Sequence, residues 1–432
     1  MRMRDLEDLE PSGHDWIGAV AGEWSLQPLG RLFRQRSQKV SDKDYPPLSV
    51  TKNGVLPQMA NVAKTDDNDN RKLVCAGDFV INSRSDRKGS SGLSELDGSV
   101  SLINTVIVPS AEVDAKFCHH LLKSVAFQEE FYRMGSGLVA DLWSTNFNKM
   151  KGITLPIPPL SEQTAIAKFL DRETARIDGL IETKTRFIAL LKEKRAAVIT
   201  HAVTKGLDAD APMKDSGVEW IGDIPSNWKM TKLGYLGRSA NGINIGGDAF
   251  GSGYPFISYG DVYKNRQLPD VIEGLVQSTK SDRLSYSVKK GDILFTRTSE
   301  TVDEVAFPSV CMETIKDAVF AGFLIRFRPF PDRLVALFSK YAFQNGGLRD
   351  FFAKEMKLVT RASLSQGLLQ SMPLPLPPLH EQAEIAEFLE KQNDRFTYLT
   401  AKTTRSIALL KEKRAALITA AVTGKIDVRG MV

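Results

Sequence analysis

Four short polar stretches carry the side chains in this sequence best able to do chemistry with an oxygen-rich, negatively charged surface. Lys52-Asn53 is the first. The second, Ser83-Arg84-Ser85-Asp86-Arg87-Lys88, directly follows the apolar run Phe79-Val80-Ile81. The third runs from Tyr259 to Lys264. The fourth, Thr296-Arg297-Thr298-Ser299, closes the run Asp292-Ile293-Leu294-Phe295. Arg, Lys and Asn on loops have the donor geometry for base edges, while Lys, Arg, Ser and Thr suit phosphate oxygens. Lys52, Asn53, Arg84, Arg87, Lys88, Tyr259, Lys264, Arg297 and Thr298 are therefore the candidate contact residues.

Catalytic chemistry finds no comparable support. The sequence has no Gly-x-x-x-x-Gly-Lys-Ser/Thr phosphate loop and no Gly-x-Ser-x-Gly elbow. Asp44-Tyr45-Pro46-Pro47 has the wrong order for the Asn/Asp-Pro-Pro-Tyr motif of amino methyltransferases. Five histidines build no triad, and His119-His120 lacks a companion at metal-ligand spacing. Cys75, Cys118 and Cys311 lie far apart, so neither a disulfide framework nor a zinc site is expected. No catalytic residue, cofactor or metal is assigned. No apolar run approaches the ~20 residues that span a bilayer, and Met1-Arg2-Met3-Arg4-Asp5 leads into no apolar signal core. A cytoplasmic protein without membrane contact is expected. The net charge of +5 and pI of about 8.9 permit nucleic-acid binding without demanding it.

The elements that must position these stretches come from an internal duplication. Leu155-Pro156-Ile157-Pro158-Pro159-Leu160-Ser161-Glu162-Gln163 returns as Leu374-Pro375-Leu376-Pro377-Pro378-Leu379-His380-Glu381-Gln382. Ala189-Leu190-Leu191-Lys192-Glu193-Lys194-Arg195-Ala196-Ala197 returns as Ala408 to Ala416. The offset is 219 throughout, and roughly 30 of about 50 aligned positions are identical. Shorter echoes precede it. Gly13-His14-Asp15-Trp16-Ile17-Gly18 with Trp24 answers Gly217-Val218-Glu219-Trp220-Ile221-Gly222 with Trp228 at offset 204. Tyr45-Pro46 answers Tyr254-Pro255 at 209, and Gly77-Asp78 answers Gly291-Asp292 at 214. Offsets that rise in order are what a duplicated domain with insertions in its second copy produces.

The globular parts read as α+β. Leu73-Val74, Phe79-Val80-Ile81 and Leu102 to Val108 read as strands, as do Asp292 to Thr296 and Phe323 to Phe327. Glu112 to Met134 and Arg333 to Lys354 have helical spacing, and Gly242 to Gly253 reads as a surface loop. Each long repeat reads as a helix that cannot start before Pro158-Pro159, or Pro377-Pro378 in the second copy, with Ser161 available to cap the first and His380 a weaker substitute in the second. A heptad seam follows, with Ile166, Leu170, Ile177, Leu180, Phe187 and Leu191 on one helix. Ile385, Leu389, Phe396, Leu399 and Leu410 are its counterpart on the other. The expected layout is residues 1–154 as one globular domain, 155–206 as a helix, 207–373 as a second domain, and 374–432 as a second helix and tail. If the helices pair along their seams, connectivity makes the pair antiparallel, a spacer with one globular domain at each end; each helix packing only on its own domain is the other reading. A coiled-coil scaffold that joins two protein-binding modules without DNA is the alternative.

Pro-Pro-Leu-Ser/His-Glu-Gln opening a long helix that ends near Leu-Leu-Lys-Glu-Lys-Arg, twice, resembles the specificity (S) subunits of type I restriction–modification systems. The likeness extends to the Trp16–Trp24 and Trp220–Trp228 segments and covers nearly the whole chain. It implies two target-recognition domains separated by two long antiparallel coiled-coil helices with an internal pseudo-two-fold repeat. It further implies a non-catalytic chain that reads an asymmetric bipartite target on double-stranded DNA. The implied partners are two adenine-N6 methyltransferase (M) subunits and ATP-driven restriction/translocase (R) subunits.

Overall fold

The computed structural model describes residues 2–58, 69–137, 143–299, 305–355 and 362–429. The chain forms two compact units: Met1–Thr185 with Thr404–Val432, and Arg186–Thr403.

In the first unit, strands Ser91–Leu93, Phe79–Asn82, Asn104–Pro109 and Phe33–Gln35 form an antiparallel sheet in that order. Side chains alternate across a strand, so the sheet sorts its apolar residues onto two faces. Phe79, Ile81 and Ile107 join the main core with Phe117, Leu121 and Phe127, while Val80 and Val106 join a smaller cluster with Val74 and Val100. The region 112–134 is two helices, Ala115–Lys123 and Val125–Arg133. Ser124 interrupts it, accepting from the Phe127 amide at 3.2 Å and donating to the Leu121 carbonyl at 2.7 Å.

The second unit repeats the frame. Gly237–Asn241, Leu324–Pro329, Ile293–Thr296 and Pro308–Val310 form its antiparallel sheet. Thr296 opposes Leu324 as Asn82 opposes Asn104 in the first unit. Ile293, Phe295, Ile325 and Phe327 face a core with Phe338 and Tyr341, from helix Ala336–Ala342. The glycine-rich stretch is only in part a loop, because Phe250–Ile257 is a strand. Two of the apolar runs expected as strands begin later than expected: Leu102-Ile103 and Phe323 lie in turns.

The long helices are Leu160–Lys205 and Leu379–Val422, of 46 and 44 residues, each roughly 65–70 Å at 1.5 Å per residue. They stop near Gly206 and Gly424, whose φ values of +79° and +77° suit the left-handed end of a helix. Each unit takes in the start of one helix and the end of the other. Ile166, Leu170 and Ile177 share the first core with Leu417, Ile418, Ala421 and Val422. Ile385 and Leu389 share the second with Ile199, Ala202 and Val203. Within the first unit the two segments run in opposite directions. Arg4 reaches Glu162 with its side chain and the Lys425 carbonyl with its amide (3.0 Å), while Asp178 pairs with Arg414 at 2.9 Å.

The buried stripe departs from a strict heptad. Leu180 is 40% and Phe187 43% exposed, while Thr174 is buried, Ile181 packs against the core and Leu191 is buried. A straight helix has 3.6 residues per turn, so a track counted at 3.5 drifts by about 20° per heptad across the helix face. On the second helix Ile385, Leu389 and Phe396 are buried, and Leu399 and Leu410 are half-buried.

Candidate nucleic-acid interface

The repeated Glu-Gln pair fastens each globular part to the helix that follows it. Helix Leu160–Lys205 starts a residue ahead of Ser161, and the Pro159 carbonyl accepts from the Gln163 amide at 3.0 Å. Ser161 is exposed within the first turn, so the proline carbonyl holds the place expected for the serine. Gln163 donates to the carbonyls of Pro158 (3.0 Å) and Glu112 (3.1 Å) and accepts from the Asp114 amide (2.7 Å). Gln382 does the same with Pro377 (3.0 Å), Arg333 (3.3 Å) and the Val335 amide (2.9 Å). Glu162 accepts from the Trp24 indole at 3.2 Å, and Glu381 from the Trp228 indole at 2.7 Å. Burial raises the Glu162 pKa, and Arg4 opposes that rise.

A second pair of contacts, from equivalent aspartates to arginines of different strands, holds the central strands. Asp78 and Asp292 are buried at the starts of Phe79–Asn82 and Ile293–Thr296. Arg36 grips Asp78 with two nitrogens at 2.7 and 3.0 Å, and Arg328 grips Asp292 at 2.7 and 2.6 Å. A two-point guanidinium–carboxylate contact fixes orientation as well as distance.

In the first unit Lys52 and Asn53 are exposed at the tip of the hairpin Leu48–Thr51/Gly54–Pro57. Arg84, Arg87 and Lys88 are exposed after Phe79–Asn82. Arg84 and Arg87 each lie 3.6 Å from Asp86, and Lys88 lies 2.5 Å from Glu129. Lys52 and Arg87 come together on one open cleft of about 620 Å³, lined also by Arg71, Asn82, Ile103 and Asn104. Asn53, Arg84 and Lys88 lie outside its lining.

Three basic residues that the sequence reading missed shape this cleft. Arg71 is 5% exposed, and its guanidinium donates to Ser99, through Oγ at 2.8 Å and the carbonyl at 3.0 Å. Among the described residues no carboxylate lies within ion-pair distance of it, and burial lowers its pKa. Lys72 donates to the carbonyls of Leu102 (2.8 Å) and Asn104 (2.6 Å), and burial lowers its pKa too. Lys123 donates to the Lys52 carbonyl (2.8 Å) and the Ser91 carbonyl (2.9 Å), and burial aided by Arg414 takes its pKa to about 8. Arg71 and Lys72 open the strand Arg71–Val74, and the alternation of Arg71 with Leu73 was the available signal for an inward arginine.

In the second unit Tyr259 and Lys264 bound a short helix capped by Ser258 and Asp261, with Tyr259 stacked on Tyr263 at 5.8 Å between centroids. Arg297 leaves the central strand. Its amide donates to the Phe323 carbonyl (2.9 Å), and its Nη1 donates to the Gly322 carbonyl (3.4 Å). Thr298 pairs with Ser363 across a short ladder. Among the described residues no group of three His, Cys, Asp or Glu side chains could hold a metal ion, and no helix is long and apolar enough to cross a membrane.

This is an internally duplicated α+β protein with basic loops at equivalent strand ends. Residues 225–408 match the model of the type I restriction modification DNA specificity domain. The chain is 26% identical over 309 residues to the type I restriction enzyme EcoKI specificity subunit of Escherichia coli K12, covering 66% of this chain and 60% of that one. It is 26% identical over 304 residues to the putative type I restriction enzyme MjaX specificity subunit of Methanocaldococcus jannaschii, covering 66% and 62%. The matched region thus spans about three fifths of these curated relatives. The fold resembles a chain solved in work on complex assembly and conformational transition of the type I R-M system, with TM-score 0.73, 16% identity and coverage of 94% and 99%. It also resembles the HsdS subunit from Thermoanaerobacter tengcongensis, with TM-score 0.58, 18% identity and coverage of 94% and 98%.

Proposed function

We propose that the chain is the DNA sequence-recognition subunit of a type I restriction–modification complex, with no catalysis of its own. Residues 1–154 read one half of an asymmetric bipartite target and residues 207–373 the other. The helices within 155–206 and 374–432 set the gap between the halves. The helices also dock two adenine-N6 methyltransferase subunits, and nuclease–translocase subunits complete the assembly in the cytoplasm.

One observation carries the reading: the two units share a frame to the level of single hydrogen bonds, yet differ in the loops that leave it. Trp24–Glu162 and Trp228–Glu381, or the Cys75 amide on Asp78 and the Lys289 amide on Asp292, are the same device used twice. Ser83-Arg84-Ser85-Asp86 and Arg297-Thr298-Ser299, at equivalent strand exits, are different. Same frames with different loops fit two readers of different sequences, since loop side chains specify bases and the scaffold only positions them.

The docking role is supported by identity without burial. Leu190 and Leu409 are equivalent, and they are 54% and 55% exposed. Lys192, Glu193 and Lys194 match Lys411, Glu412 and Lys413, and all six are exposed. Exposed positions away from special features tolerate change at little cost, so packing does not explain the match. Two copies of one partner would.

Mapping N6-methyladenine in DNA from cells carrying the chain with its methyltransferase tests the reading. A single two-part asymmetric sequence is the expected result, and methylation without sequence preference would refute it.

A further inference from the structure

Turns between strands favour Gly, Asn, Asp and Ser, each for a conformational or hydrogen-bonding reason. Two turns here carry bulky apolar tips, at the same place in each unit. In the first, the Asn104 amide closes on the Ser101 carbonyl at 3.0 Å, leaving Leu102 41% and Ile103 44% exposed. In the second, the Leu324 amide closes on the Ala321 carbonyl at 3.0 Å, leaving Phe323 62% exposed. Each tip is held by the residue that leaves the central strand: the Ser83 amide donates to Ile103 and the Arg297 amide to Phe323. Lys72 stiffens the first turn through Leu102 and Asn104, and Arg297 stiffens the second through Gly322.

A single exposed apolar residue is ordinary on any surface. The same turn bearing one in both units, against local preference, marks a position that function has overruled. The surroundings indicate the ligand. Ile103 lines the cleft with Lys52, Arg71 and Arg87, and Phe323 adjoins Arg297. Cations around an apolar tip match a duplex, whose phosphates flank an apolar base surface.

Building on the DNA-recognition reading, we propose that Ile103 and Phe323 are base-contacting tips, each pressing an apolar side chain against the bases of its own half-site. The contacted surface is either a thymine methyl group or an opened base step. Such contacts release no counter-ions, so their contribution to affinity does not depend on salt.

The test uses the full chain assembled with its methyltransferase subunits, carrying Ile103→Ser or Phe323→Ser, titrated onto its target duplex over a salt series. Affinity falls about tenfold at every salt concentration, and the log–log salt slope stays that of the unsubstituted assembly. Phe323→Leu restores most of the affinity, which separates lost apolar contact from lost fold. Uracil in place of thymine within one half-site reproduces the loss if a methyl group is contacted. A smaller duplex bend without a uracil effect identifies the opened step. Affinity within about twofold of the original for both serine variants overturns the proposal, and so does a slope reduced by about one. If the unsubstituted assembly shows no salt-dependent DNA binding, the recognition reading itself fails. Tight binding untouched by the variants sinks only the tips.

Discussion

Trp228 donates its indole N–H to the carboxylate of Glu381 at 2.7 Å, and this bond fastens the second globular part to its helix. Trp228 is fully buried, so its N–H has no water to fall back on. Glu381→Ala is expected to cost about 1–3 kcal/mol, the price of an unsatisfied buried donor. Denaturant unfolding of the variant checks this, and an unchanged midpoint would show that the bond contributes nothing.

His119 makes the first unit sensitive to acid. Burial, with His120 and Lys123 adding, lowers its pKa from 6.5 to about 4, and its Nδ1 accepts from the Leu93 amide at 3.2 Å. The folded state therefore binds fewer protons than the unfolded chain between those values. Stability is full above pH 6.5 and declines as pH falls toward about 4, by on the order of 3 kcal/mol at most. His119→Gln, which has no charge to gain, should flatten the decline in unfolding midpoints measured between pH 7 and pH 4.

Lys52 and Arg87 are exposed on the cleft wall and suit phosphates. Lys52→Gln or Arg87→Gln should weaken DNA binding evenly across sequences and lower the salt slope by about one each. Filter binding over a salt series measures both quantities. A variant that changed the preferred sequence while keeping the slope would make that residue a base reader.

Leu190→Asp should remove one methyltransferase subunit from the assembly, and Leu190→Asp with Leu409→Asp should remove both. Native mass spectrometry counts the subunits. Full occupancy in the double variant would put docking elsewhere.

The duplication, the two long helices and the central strands were legible in the sequence because they rest on local pattern and exact repetition. The roles of Glu162 and Gln163 were not, since their partners Trp24 and Asp114 are distant in sequence. The sharing of helix ends was hidden for a related reason. Ile199, Ala202 and Val203, with Ile418, Ala421 and Val422, lie off the heptad track, yet they are buried in the cores of the two units. Leu102-Ile103 and Phe323 read as strand residues because apolar runs do not reveal where a turn ends. Lys72 and Lys123 carried no signal at all, and Arg71 only its alternation with Leu73. Their importance comes from which carbonyls the fold brings to them.

The central claim is that two different readers are held in one duplicated frame. Replacing residues 1–154 with the corresponding domain of a type I specificity subunit, then mapping methylated adenines, tests it most directly. The expected result is a bipartite target in which one half-site changes, while the other half-site and the gap stay as they were. A target altered in both halves, or in neither, would contradict it.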